Sequence, residues 1–214
     1  MDTAKKFLFV NSSDFILIRL IAFAGQSITI GFSQYFFDFL PQVAWLSWGV
    51  ALLLLLSVGL AYYLLNKGDK ILTEKQIFLF LCFDILQISI LISFNGGYTN
   101  PFIFIILAPI AIAASYLTLE RIIVILSLAL VCFALIFNFF IDLPEMVRPN
   151  ISIQYSIGIM ISLFVSSIFL VFYLYYFSLN YKSTQKAYEL ASKQLQDEKE
   201  LLKVGGLAAA AVHE

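Results

Sequence analysis

Apolar runs close to twenty residues long recur along this chain, near 14–37, 43–65, 76–95, 101–118, 121–141 and 152–178. A helix rises ~1.5 Å per residue, so each run matches the ~30 Å hydrocarbon layer of a bilayer, where the backbone must satisfy its own hydrogen bonds. The runs therefore predict an all-α membrane protein with six transmembrane helices. Composition agrees: 61% of the residues are hydrophobic and 13% charged, with a mean hydropathy of +0.93, far from the usage of soluble domains. Lys5 and Lys6 precede an apolar run of only Phe7 to Val10, with no small-residue cleavage site after it, so no removable leader is expected.

Orientation follows from the positive charges. With six spans both termini share a side, and that side holds Lys5, Lys6, Lys67, Lys70, Lys75, Arg121 and the five lysines of the tail, while Arg148 falls opposite. Positive charge concentrates in cytoplasmic loops, which predicts cytoplasmic termini and an outward-facing segment at Asn95–Phe102. A formal net charge of −1 and the lack of a basic cluster outside this pattern give no reason to expect a nucleic-acid partner. The outer loops are short. The longest, around Asp142 to Ile151, has two prolines and no room for a sensing domain. A ligand recognised outside the cytoplasm must then bind in or against the membrane part, which favours a lipid-soluble one.

Asn95-Gly96-Gly97-Tyr98-Thr99-Asn100-Pro101-Phe102 ends one apolar run and begins another. Its glycines allow backbone angles closed to other residues, and Pro101 suits the first turn of a new helix. Asn100 offers both donor and acceptor groups beside Tyr98 and Phe102, so the segment reads either as a well-made interhelical turn or as a grip for a flat, carbonyl-bearing apolar molecule. Asp84, about ten residues into an apolar span, must be protonated, paired or turned to a polar cavity. Gln87 lies one turn on and can share its face. The pair serves either helix packing or a ligand- or proton-linked site. Arg19, Gly25 and Gln26 in the first span are read chiefly as a snorkelling cation and a packing amide, with the wall of a polar pocket as the other reading. Pro109 predicts a bend in the middle of the fourth span. Cys82 and Cys132, without CxxC spacing or neighbouring histidines, read as core packing and not as a metal site.

After Phe177 the composition changes. Residues 180–203 hold five lysines and four acidic residues, and Tyr181, Tyr188, Leu195 and Leu202 recur every seven positions, with Thr184 and Ala191 between them and Glu198 breaking the pattern. This is an imperfect heptad, either a solvated tail or a dimeric stalk. A helix from Ser178 to the end would be ~55 Å long. Gly205-Gly206, at roughly 1 kcal/mol each relative to alanine, predict a flexible joint before the Ala-rich segment that ends in His213-Glu214. His213 is the only histidine. Imidazole beside a carboxylate can accept a phosphoryl group, though a lone His-Glu is more often a surface pair.

Three blocks together resemble the RegB/PrrB family of membrane sensor histidine kinases: Arg19 with Ala22, Gly25 and Gln26; Phe83-Asp84-Ile85-Leu86-Gln87 through Gly96-Gly97-Tyr98-Thr99-Asn100-Pro101-Phe102 to Leu107-Ala108-Pro109, with a GGxxNPF motif at its centre; and Gly206 to Glu214, similar to the start of an H-box. The resemblance implies a homodimeric redox sensor of a two-component system in the bacterial inner membrane. Gly96, Gly97, Asn100, Pro101 and Phe102 would form a ubiquinone site, with Asn100 donating to a quinone carbonyl. His213 would be the phosphoacceptor, Glu214 its proton partner, and a response regulator the recipient. It also implies a division into a cytoplasmic N-terminus (1–13), a quinone-sensing membrane domain (14–178), a coiled-coil-like stalk (179–204) and the start of the dimerisation helix (205–214). The family's hairpin partner, ATP-binding domain and redox-active cysteine would lie beyond Glu214, so ATP and Mg2+ are expected to bind there and not to these residues. A channel or transporter with an Asn-Pro half-helix is the rival reading, disfavoured by the lack of a second such run, and a structural membrane anchor is a third.

Overall fold

The computed structural model describes residues 10–36, 44–66, 71–143, 145 and 150–212. Its helices are α1 (Ser12–Phe36), α2 (Ala44–Asn66), α3 (Glu74–Phe94), α4 (Leu107–Tyr116), α5 (Leu119–Asn138) and α6 (Ile153–Val212). A two-residue strand β1 (Val10–Asn11) pairs antiparallel with β2 (Ile71–Leu72). Two compact units divide the chain, Met1–Leu174 and Tyr175–Glu214, so α6 begins in one and ends in the other. Five stretches are long and apolar enough to cross a bilayer: Phe15–Phe32, Trp45–Tyr63, Glu74–Phe94, Leu119–Asn138 and Ile153–Lys203. The chain is a multi-pass membrane protein.

The fourth expected span differs. Pro101–Tyr116 is shorter than a standard spanning helix and starts as a 3₁₀ stretch, Pro101–Ile106, before passing into α4 at Leu107. Pro109 supplies the reason. It lacks an N–H, and its ring crowds the carbonyl four residues back, so regular α geometry cannot run unbroken from Pro101 through it. The expected irregularity in the middle of this span takes the form of a change of helix type between Ile106 and Leu107, with Pro109 in the first turn of α4. The 3₁₀ form rises ~2.0 Å per residue and the α form ~1.5 Å, so the sixteen residues reach ~27 Å, close to the thickness of the hydrocarbon layer.

Packing centres on α3, which lies against α2, α4 and α5, while α1 packs on α2. On α3 the buried Ile77, Leu81, Ile85, Ile88 and Ile92 recur every three or four residues, and on α5 so do Ile122, Ile125, Ala129, Cys132 and Ile136. Each series is one stripe of a 3.6-residue helix turned inward. Thr73 and Gln76 close a capping box at the start of α3. Beside it, the Glu74 carboxylate accepts the Thr118 N–H at 2.7 Å and pairs with Arg121 at 3.3 Å, tying the starts of α3 and α5 together.

In the second unit the helix continues through Gly205 and Gly206 to Val212. The expected joint is therefore absent from the backbone. Glycine lowers helix propensity without forbidding the helix, and the four alanines after Leu207 are the strongest helix formers, so propagation carries across the pair. His213 and Glu214 lie outside the described residues.

The opposite end of α3 turns at Gly96 and Gly97, both at positive φ, 97° and 56°. Their lack of a side chain is required twice over. A β-carbon on Gly96 would stand 2.6 Å from Leu143, and one on Gly97 2.5 Å from Phe140. Gly96 N–H donates to Ile141 O, and Ile141 N–H donates to Ser93 O, pinning the segment after α5 against the turn. Gly97→Ala combines backbone strain with overpacking and is expected to lower stability by about 2 kcal/mol or more, read as a lower melting temperature in detergent. An unchanged melting temperature would show that this contact does not hold the turn.

Candidate functional site: a polar cleft inside the membrane bundle

Where α1 faces α3, the helices meet through long polar side chains. Arg19 donates to Asp84 twice, from Nη1 to Oδ2 at 3.0 Å and from Nη2 to Oδ1 at 2.7 Å, the fork geometry that suits guanidinium to carboxylate. Nη2 also donates to Ser57 Oγ of α2 at 2.6 Å, and that hydroxyl donates to Leu54 O. The guanidinium carbon lies 4.8 Å from the Phe80 ring centre and 5.4 Å from that of Phe15, near enough for cation–π attraction. Arg19 is 3% exposed and Asp84 15%. The requirement that Asp84 be paired is thus met by Arg19 and not by Gln87.

Two turns along α1 and one along α3, Gln26 and Gln87 exchange amide hydrogen bonds, at 3.2 Å from Gln26 Nε2 and 2.9 Å from Gln87 Nε2. Gln87 Nε2 also donates to Val50 O of α2. Two polar ties on α1 therefore meet two on α3, with α2 bracing both. Gln26 is thus the packing amide expected of it, Arg19 is a buried ion-pair partner and not a snorkelling cation, and both line a cavity of about 260 Å³ together with Asp84, Gln87, Gly25 and Pro109. A second, smaller space of about 40 Å³ continues past Gln26 to Asn100 and Phe102. Gln26, Thr29, Ile88 and Ile105 line both. The two spaces form one cleft between α1, α3 and the 3₁₀–α4 segment.

The turn residues divide between two jobs. Asn100, 8% exposed, caps the 3₁₀ stretch: Oδ1 accepts the Phe102 N–H at 2.8 Å and Nδ2 donates to Asn95 O at 2.7 Å. One Nδ2 hydrogen remains beyond that bond. Asn100 and Phe102 line the small end of the cleft, whereas Gly96 and Gly97 face Leu143 and Phe140 and Pro101 is exposed. Tyr98 turns away as well, its ring 5.0 Å from Phe137 and 5.1 Å from Phe140.

Ser57 and Ser47 join the polar network unannounced by any motif, and Asn95, read only as the start of the turn, joins it as well. Ser57 is the serine that interrupts the leucine run of α2, and that interruption was its only signal. Asn95 Nδ2 donates to Ser47 Oγ at 3.0 Å and to Leu91 O at 2.6 Å, joining α2 to the end of α3. Cys82 and Cys132 are free thiols, and among the described residues no cluster of metal-ligating side chains occurs.

Over 201 residues the chain is 26% identical to the sensor histidine kinase RegB of Cereibacter sphaeroides. It is a distant homologue of that kinase. The similarity covers 93% of this chain and 43% of RegB, so the chain spans less than half the length of its relative. No family model and no solved structure matches the chain. The RegB-like extent includes the polar cleft, since the match leaves out only a small part of the 214 residues.

The paired arrangement of Arg19 and Asp84 carries a stability signature. Arg19→Leu or Asp84→Leu alone strands a buried charge, at a cost of about 3–5 kcal/mol, whereas the double variant Arg19→Met/Asp84→Leu strands none. Melting in detergent should place each single variant well below the double variant. Independent, additive losses from the two substitutions would contradict the pairing.

Proposed function

We propose that this chain is the membrane sensor part of a two-component histidine kinase that reads the quinone pool, with ubiquinone the sensed ligand. What carries the reading is the homology to RegB across the membrane region, joined to a cleft within the bundle where amide, guanidinium and carboxylate groups converge in apolar walls. A lipid-soluble ring with carbonyl or hydroxyl oxygens fits such a cleft, because its edges satisfy polar groups that hydrocarbon leaves unmet.

In this reading Pro101–Tyr116 crosses the membrane as the fourth of six spans, and both termini lie in the cytoplasm of a bacterial cell with the protein in the inner membrane. Asn100 and Phe102 stand at one end of the quinone cleft, and Gly96, Gly97 and Pro101 shape the turn that presents them. The ligand biases the packing of α1 against α3 and α4, and the change reaches α6. Tyr181, Tyr188, Leu195 and Leu202, 54–76% exposed on the single helix, form a stripe that a second copy would cover in a parallel dimer. That stalk sets the presentation of His213 to an ATP- and Mg2+-binding domain beyond Glu214. Glu214 orients the imidazole proton, and a response-regulator aspartate receives the phosphoryl group.

The test uses the full-length protein in nanodiscs with labelled ATP. Acid-labile phosphate should appear in wild type and not in His213→Gln, and its rate should differ between oxidised and reduced short-chain ubiquinone. Equal labelling with both forms, or none at His213, would overturn the reading.

A further inference from the structure

The two parts of the cleft differ in what they can hold, and the difference separates two locations for the ring. A cavity of about 150 Å³ is enough for benzene, whereas a few tens of Å³ accommodate little more than a water. The space at Asn100 and Phe102, about 40 Å³, does not enclose a six-membered ring by itself. The chamber beside Arg19 and Asp84, about 260 Å³, is large enough.

Volume alone would favour a third space, a groove of about 450 Å³ between α2 and α3. Its polar residues are Ser57, which bonds Arg19 and Leu54, and Gln76, whose Oε1 already accepts twice from Thr73, so the groove offers amide N–H donors but no charged group and no amide oxygen to match them. The 260 Å³ chamber has polar capacity left. Each Asp84 oxygen accepts one bond from Arg19 and keeps lone pairs, Gln26 Nε2 gives one hydrogen to Gln87 and keeps another, and buried Arg19 Nε has no hydrogen-bond partner in the structure. Donor and acceptor groups thus meet in one apolar chamber, which suits a ring bearing oxygens on its edge.

A way in from the lipid is also present. Ala22, Gly25 and Ala108 line the chamber, and Ala22 and Gly25 are exposed, so the opening between α1 and α4 is walled by small residues. A β-carbon at Gly25 would meet no heavy atom within 4 Å, so a side chain there has free space to occupy.

We propose that the quinone ring sits in this deeper chamber, against Arg19, Asp84, Gln26 and Gln87, with the Asn100–Phe102 turn closing the other end of the same cleft. This rests on the quinone-sensing reading above. The apolar side chain of the ligand leaves between α1 and α4, past Ala22 and Gly25. The Arg19–Asp84 pair is then both a tie between helices and the polar wall that the ring touches, so occupancy bears directly on the α1–α3 contact.

Titration of the chain in nanodiscs with decylubiquinone separates the possibilities. Gly25→Leu places a branched side chain in the chamber and raises the helix propensity of α1, so its melting temperature should be at least that of wild type while binding weakens by about tenfold or more. Ala22→Leu, one turn earlier on the same helix, gives the same reading should Gly25→Leu not fold. Wild-type affinity in a folded plug variant would overturn the placement and leave the sensing reading intact. No binding to wild type would overturn both.

Discussion

A guanidinium and a carboxylate lie together inside helices otherwise built from leucine, isoleucine and phenylalanine, and the arrangement of the bundle depends on that pair. In lipid, apolar side chains gain little by leaving hydrocarbon for another helix, so packing and hydrogen bonds decide which helices meet. An unpaired charge at that depth is strongly disfavoured. Arg19 and Asp84 therefore constrain α1 and α3 to face each other at one register, and the two bonds of the fork fix the direction of approach. Ser57 extends the constraint to α2, and the Gln26–Gln87 exchange repeats it further along. These long side chains also hold the helices at a distance that leaves room for the cleft.

The opposite wall of the cleft has a different origin. Gly96 and Gly97 turn the chain back without a side chain that would strike Leu143 and Phe140, Asn100 caps the 3₁₀ stretch, and Pro101 and Pro109 confine the segment between them to a mixed 3₁₀ and α form. The stretched 3₁₀ part places Phe102 and Ile105 on the cleft and leaves Ala108 and Pro109 beside Arg19 and Asp84. The turn thus sets the position of α4 and places Asn100 and Phe102 on the cleft. Two blocks far apart in the sequence, with 61 residues from Gln26 to Gln87, meet here in space: the first-span residues Arg19, Ala22, Gly25 and Gln26 line the same cleft as Asp84, Gln87, Asn100 and Phe102.

The long helices were legible because bilayer thickness imposes their length and hydrocarbon imposes their composition. The demand that Asp84 find a partner was legible too, since solvation energy alone requires it. Its partner was not. Arg19 is 65 residues away, and no periodicity within one helix links the two, so it read chiefly as a snorkelling cation while Gln87, on the same face, stood as the near neighbour. Pro109 was visible as a break, but its effect falls upstream of it, on Pro101–Ile106, because the carbonyl it crowds lies four residues earlier. Gly205-Gly206 read as a joint from propensity alone, and the helix-forming residues on either side outweigh it. The phosphoacceptor reading of His213 rests on its motif, since those last residues lie outside the described structure.

Photoaffinity labelling tests the account most directly, because it reports where a ring lies without altering the protein. A short-chain ubiquinone bearing an azide on its ring, irradiated with the chain in nanodiscs and mapped by mass spectrometry, should label α1 around Arg19–Gln26 and α3 around Asp84–Ile88, with unmodified ubiquinone competing the label away. Competable labelling confined to Gly96–Phe102, or spread evenly over the lipid-facing surfaces of α2 and α6, would contradict it.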